Sequence, residues 1–168
     1  NEYYLIKNSM SDYFLYYDSV NKQLKATKIA LSSLLQMNDN DLKPYKWKVS
    51  TNGTSISEIV NGSSINISTT GAISLTNGGT VKSAGYSTKG GFRFYNGSVN
   101  GSWPNYVVNT YTLQVTESGE VKTYANKQSV YFYPPELSDY VAEEKSCYFQ
   151  LYKVTFVEES EAKLVGPD

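Results

Sequence analysis

The stretches that decide the reading are Tyr45-Lys46-Trp47-Lys48-Val49, Gly91-Phe92-Arg93-Phe94-Tyr95 and Tyr148-Phe149-Gln150-Leu151-Tyr152-Lys153-Val154. Each follows a polar loop and alternates aromatic or apolar residues with polar ones, the period-two pattern of a strand with one buried face. With Trp47, Phe92 and Phe149 taken as equivalent, the spacings are roughly 45 and 57 residues, which divides the chain into three units of unequal length. The units open less alike, on Tyr4-Leu5-Ile6-Lys7-Asn8, Ile56-Ser57-Glu58-Ile59-Val60-Asn61 and Tyr111-Thr112-Leu113-Gln114-Val115.

Outward from these segments, short apolar runs punctuated by Asn-Gly, Gly-Gly, Ser-Gly and Pro-Pro predict a dense series of hairpins. Strands are expected at 3–6, 13–17, 23–27, 46–49, 55–59, 64–67, 72–75 and 80–82, then at 92–95, 106–108, 111–115, 121–124, 130–133 and 148–157. Lys28 to Met37 breaks the pattern, with Ile29, Leu31, Leu34 and Leu35 at helical spacing, and predicts a short helix in a crossing loop. Residues 1–157 are read as one all-β domain. Residues 158–168 turn polar and acidic, and read as a tail or linker leaving it.

Composition narrows the function classes. Sixteen tyrosines suit half-wet strands. The formal net charge is −1, and no long run of one sign offers a footprint for nucleic acid. With no histidine and a single cysteine, imidazole-based proton relays and Cys/His zinc sites are ruled out, as is a disulfide within the chain. Cys147 reads as a small buried hydrophobe. No cofactor, metal or transmembrane segment is expected, and no catalytic residues. The first residues already alternate like a strand, so the chain reads as processed or cut from something longer.

Three units of four strands are the organisation of a β-trefoil. The opening Tyr4-Leu5-Ile6-Lys7-Asn8, the following Ser11-Asp12-Tyr13-Phe14-Leu15 and the closing Trp47-Lys48-Val49 before Asn52-Gly53-Thr54 resemble ricin-type β-trefoil lectins and trefoil-like modules of Bacteroidota surface proteins. The Gln-x-Trp that closes each lectin repeat stands here as Tyr45-Lys46-Trp47 once and lacks Trp in the other two units. The resemblance implies a β-trefoil-like fold with three unequal repeats. The alternative reading of the same hairpins is an antiparallel β-sandwich.

Candidate binding residues follow from the chemistry of sugar recognition, which pairs an aromatic face with Asn, Asp or Gln. The best local match is Tyr95 to Tyr106, where Trp103 sits in a polar, glycine-rich stretch with Asn105 and Tyr106 beside it. Trp103, Asn105, Tyr106 and Tyr95 are the candidate ligand-binding residues. Alternatively, Trp103 folds back as a plug on the core. Tyr131-Phe132-Tyr133 before Pro134-Pro135 forms a second aromatic cluster, either an exposed ridge or a strand ending in a rigid turn. Trp47 reads as core. Asn38-Asp39-Asn40-Asp41 has oxygen ligands for calcium but neither the glycine nor the later Glu of an EF-hand, and reads as a solvated loop.

Two functions remain, of which the first is the main reading and the second the alternative. One is a carbohydrate-binding module of a secreted or cell-surface protein, which requires an exposed aromatic platform. The other is a structural or adaptor subunit of a bacterial surface assembly, such as a fibre or an outer-membrane uptake complex, held to protein partners through tyrosine-rich faces and sheet edges.

Overall fold

In a computed structural model, which describes residues 2–87, 90–156 and 162–165, the chain is all-β and antiparallel. The first hairpins are β1 (Tyr3–Asn8), β2 (Tyr13–Asp18) and β3 (Gln23–Lys28). Two short helices follow, α1 (Leu31–Leu35) and α2 (Asp39–Leu42), before β4 (Trp47–Val49), β5 (Ile56–Glu58), β6 (Ser64–Ile67), β7 (Ile73–Thr76) and β8 (Lys82–Ser87). The second half is a long three-stranded meander of β9 (Gly91–Ser102), β10 (Asn105–Val115) and β11 (Val121–Tyr131). Strand β12 (Phe149–Phe156) then returns beside β1, and β13 (Ala162–Val165) pairs with β12. The other residues of the 158–168 tail lie outside the described residues.

Alternation along β1, β2 and β12 sends side chains to two cores, because both faces of these strands are covered. Ile6, Leu15, Tyr17, Phe149 and Leu151 join the main core with Trp47, Ile56, Ile65, Phe94 and Leu113. Leu5, Phe14 and Val154 point to the other face, where they meet Leu34, Leu42 and Tyr45. The predicted helix is therefore present, shortened to α1, and its Leu34 plugs this second core. Trp47 is fully buried, and its indole N–H donates to the Leu15 carbonyl at 3.2 Å. That bond satisfies the only polar atom of a large core ring.

The β-trefoil expectation is corrected by the sheet itself. The ladder runs β11-β10-β9-β12-β1-β4-β5-β6-β7 as an open path, with β2, β3, β8 and β13 branching from it. No ladder joins β5 to β8 among the described residues, so the sheet does not close into the barrel that a trefoil requires. Among the described residues strand β8 pairs only with β9, and the register shifts between Ala84 and Ser87. Such an irregularity bends the strand locally. Toward β5 only single contacts remain, such as the Val81 N–H donated to the Thr54 carbonyl at 3.0 Å. The arrangement is an open, sandwich-like packing of antiparallel sheet, which favours the alternative reading. Of the three echoed segments, Phe92 and Phe149 face one another as a ladder pair, while Trp47 pairs with Tyr4 and Glu58. The echoes reflect strand chemistry rather than a repeated unit.

Candidate functional site

The stretch read as a glycine-rich loop is instead the far half of a twelve-residue strand. Asn96-Gly97 and Asn100-Gly101 look like turns in sequence, yet both lie within β9. Gly97 is glycine because a Cβ there would strike the Asn109 carbonyl of β10, so the residue permits close strand approach instead of a turn. The chain reverses at Trp103-Pro104, between Ser102 and its ladder partner Asn105. Strand β11 returns on the other side of β10, placing Tyr131 opposite Asn105.

This register brings together two aromatic clusters that are 29 residues apart in sequence. The Trp103 indole N–H donates to the Phe132 carbonyl at 3.0 Å, and the Phe132 N–H donates to the Pro104 carbonyl at 2.9 Å. The two rings meet edge to face with centroids 6.4 Å apart, within the range of favourable aromatic pairs. Phe132 adopts a φ of 70°, a left-handed conformation uncommon for a bulky residue, which ends β11 and turns the ring toward Trp103. Trp103 is 64% exposed, Phe132 64%, Tyr133 76% and Tyr131 56%. Four large aromatic groups thus share one solvent-facing end of the ribbon. Trp103 is not a plug on the core.

Of the residues expected beside Trp103, Asn105 is exposed and Tyr106 half-buried, both at the same ribbon end. Tyr95 is only 4% exposed. It pairs with Thr112 from within β9, eight residues before the turn residue Trp103 and roughly 26 Å away at ordinary strand rise. Tyr95 therefore belongs to the packed base of the ribbon. Phe132 and its neighbours complete the tip. The sequence signal for that junction is the Glu117-Ser118-Gly119 turn, from which counting outward along β10 and β11 sets Pro104 against Phe132.

Electrostatically the tip is neutral. No charged residue occurs between Arg93 and Glu117, nor from Gln128 to Pro135. Lys122 and Lys127 lie further down β11, which pairs only with β10 among the described residues. Lysines on such an edge disfavour uncontrolled strand addition. The opposite end of the ribbon is held by the segment 139–146. Thr110 and Asn126 both donate to the Tyr140 carbonyl at 2.8 and 2.9 Å, Arg93 donates to the Val141 and Ala142 carbonyls, and Gln114 donates to the Ser146 hydroxyl. These bonds tie the lower half of the ribbon to the segment 139–146, and the aromatic end projects beyond them.

The remaining polar candidates serve the fold. Asn38 caps α2, its side chain accepting from the Asp41 N–H at 2.9 Å, so the acidic loop is a helix start. Glu58 is 1% exposed, and its carboxylate accepts from the N–H groups of Asn61, Gly62 and Ser63 and from the Ser63 hydroxyl. Asp18 binds the turn that follows it, accepting from Asn21 and Val20, and these bonds hold its carboxyl below the usual range. Cys147 is fully buried, and burial pushes its thiol up to about 12, far from a reactive thiolate. Among the described residues no three of His, Cys, Asp and Glu gather to hold a metal, and no helix is long and apolar enough to cross a membrane.

The chain was compared with protein-family models, with curated proteins and with solved structures, and no match was found in any of the three. With the open sheet, this corrects the resemblance to ricin-type lectins: neither a lectin family signature nor the closed trefoil supports it.

Proposed function

We propose that this domain is a non-catalytic interaction module, the structural or adaptor part of a secreted or cell-surface protein, which grips a protein partner with its aromatic ribbon end. The observation that carries this reading is the cluster of Trp103, Phe132, Tyr131 and Tyr133, all more than half exposed on a strapped scaffold. Aromatic groups of this kind are the usual anchors of protein interfaces, because they bury large area with few rotatable bonds. The Trp103 N–H is already engaged by the Phe132 carbonyl. The indole therefore offers an apolar face without a buried donor left unmatched, and the uncharged surroundings fit a neutral, apolar pocket on the partner.

The test is site-specific crosslinking in the organism that makes the protein. A photoreactive phenylalanine analogue placed at Tyr133 should yield one dominant crosslinked polypeptide, competed by the wild-type domain and lost with Trp103→Ser/Phe132→Ser. The same analogue at Val20, which is exposed on a distant turn, should not yield it. Identical products from both positions, or none from Tyr133, would overturn the reading. So would saturable binding of the tip to a glycan array.

A further inference from the structure

We infer that a second and separate binding site, for a small neutral molecule bearing a planar ring, lies in the open seam between the turn at residues 50–53 and β8, over the faces of β1, β4, β9 and β12. Its cavity has a volume of about 420 Å³, within the range of small-ligand pockets, and its floor is apolar. Tyr4, Val49, Phe92, Phe94 and Leu151 form that floor. The Phe92 and Phe94 rings lie nearly parallel, 6° apart with centroids separated by 6.5 Å.

The seam stays open for identifiable reasons. Val81 and Thr54 stitch one end, and the Ser83 hydroxyl donates to the Asn52 carbonyl at 3.1 Å as a second tie. Past these points the register of β8 against β9 shifts between Ala84 and Ser87, an irregularity that bends a strand locally. Gly85 lies within this irregular stretch and lines the cavity, and a Cβ built on it meets nothing within 4 Å. A glycine thus stands at the cavity wall where a side chain would have taken up open space.

The rim sets the ligand chemistry. Ser50, Thr51, Asn52 and Ser83 offer neutral hydrogen-bonding groups. Among the described residues Glu2 is the one charged residue lining the cavity, and its carboxylate accepts from the Tyr4 hydroxyl at 2.9 Å and pairs with Lys153 at 2.6 Å. Its charge is balanced within the protein, so nothing calls for a charged ligand. A ring carrying a hydroxyl or carbonyl group matches both floor and rim.

The probe is 4-methylphenol, titrated into the ¹⁵N-labelled chain while amide shifts are followed by NMR. Saturable shifts at Gly53, Ser83, Gly85 and Leu151 are expected at millimolar ligand. Gly85→Leu, which fills open space, should abolish them while the rest of the spectrum is kept. Phe92→Leu should weaken binding several-fold, and decides the matter if the first variant does not fold. Absence of shifts, shifts unchanged in either folded variant, or shifts confined to Trp103 and Phe132 would overturn the site. A failure here leaves the ribbon tip untouched, since the two are read out by different residues.

Discussion

Raising the pH should destabilise this fold through one thiol. Cys147 sits in the 3₁₀ turn that precedes β12, without solvent exposure. Burial, reinforced by the negative charge of Glu144, pushes its thiol from an ordinary 9.0 up to about 12. Between these values the unfolded chain has released the proton and the native state still holds it, so stability falls as pH rises. The contribution is complete below the unfolded value and is lost as pH climbs through the folded one. Each unit corresponds to about 1.4 kcal/mol, so at about pH 10.5 the loss amounts to about 2 kcal/mol. Cys147→Ala removes this dependence, at a pH-independent cost of about 1 kcal/mol for the missing sulfur. Urea unfolding of both proteins at neutral pH and at about pH 10.5 gives the comparison. Burial also raises the hydroxyls of Tyr45 and Tyr95 and lowers the ammonium of Lys46, but these groups are common to both proteins and cancel in the difference. The variant should gain about 2 kcal/mol relative to wild type across this range. Parallel pH curves for the two proteins would refute the reasoning.

The two tryptophans should behave oppositely. Trp47→Phe should cost about 2–3 kcal/mol through lost core volume and an unsatisfied Leu15 carbonyl, whereas Trp103→Ser should cost about 1 kcal/mol or less; chemical denaturation measures both. Red-shifted emission should vanish with Trp103 and blue-shifted emission with Trp47. Glu58→Ala should destabilise by about 2–4 kcal/mol, less than its four bonds would suggest because the freed N–H groups lie in an exposed turn that water can reach; a thermal melt checks it. Arg93→Met should leave the main core intact but speed hydrogen exchange across residues 140–146, since its guanidinium holds two carbonyls of that strap.

Much of the local structure was legible because hairpins are written in adjacent residues. Ser64–Ile67 forms a strand where the alternation placed one, and β1, β2 and β3 each extend the predicted runs by one or two residues. The helix at Leu31–Leu35 and the burial of Trp47 and Cys147 followed from the same patterns of spacing and residue type. The glycines misled. Asn96-Gly97 and Asn100-Gly101 carry the composition of turns, but the reason for Gly97 is the Asn109 carbonyl on a neighbouring strand, and that neighbour is not visible from local sequence. Likewise, Ala125 to Ser129 has little apolar signal, and it continues β11 because the ladder with β10 supplies its hydrogen bonds.

By itself, then, the sequence determined an all-β chain with many hairpins, no imidazole chemistry and an aromatic emphasis, because composition and period-two alternation are local properties. It also singled out Trp103 and, separately, the Tyr131 to Tyr133 run. Tertiary structure decided that these two become one exposed group, that Tyr95 is buried far from them, and that an apolar seam stays open between the turn at residues 50–53 and β8. Those outcomes depend on strand register and on where a ladder stops, and both are set by residues that meet only after the chain has folded.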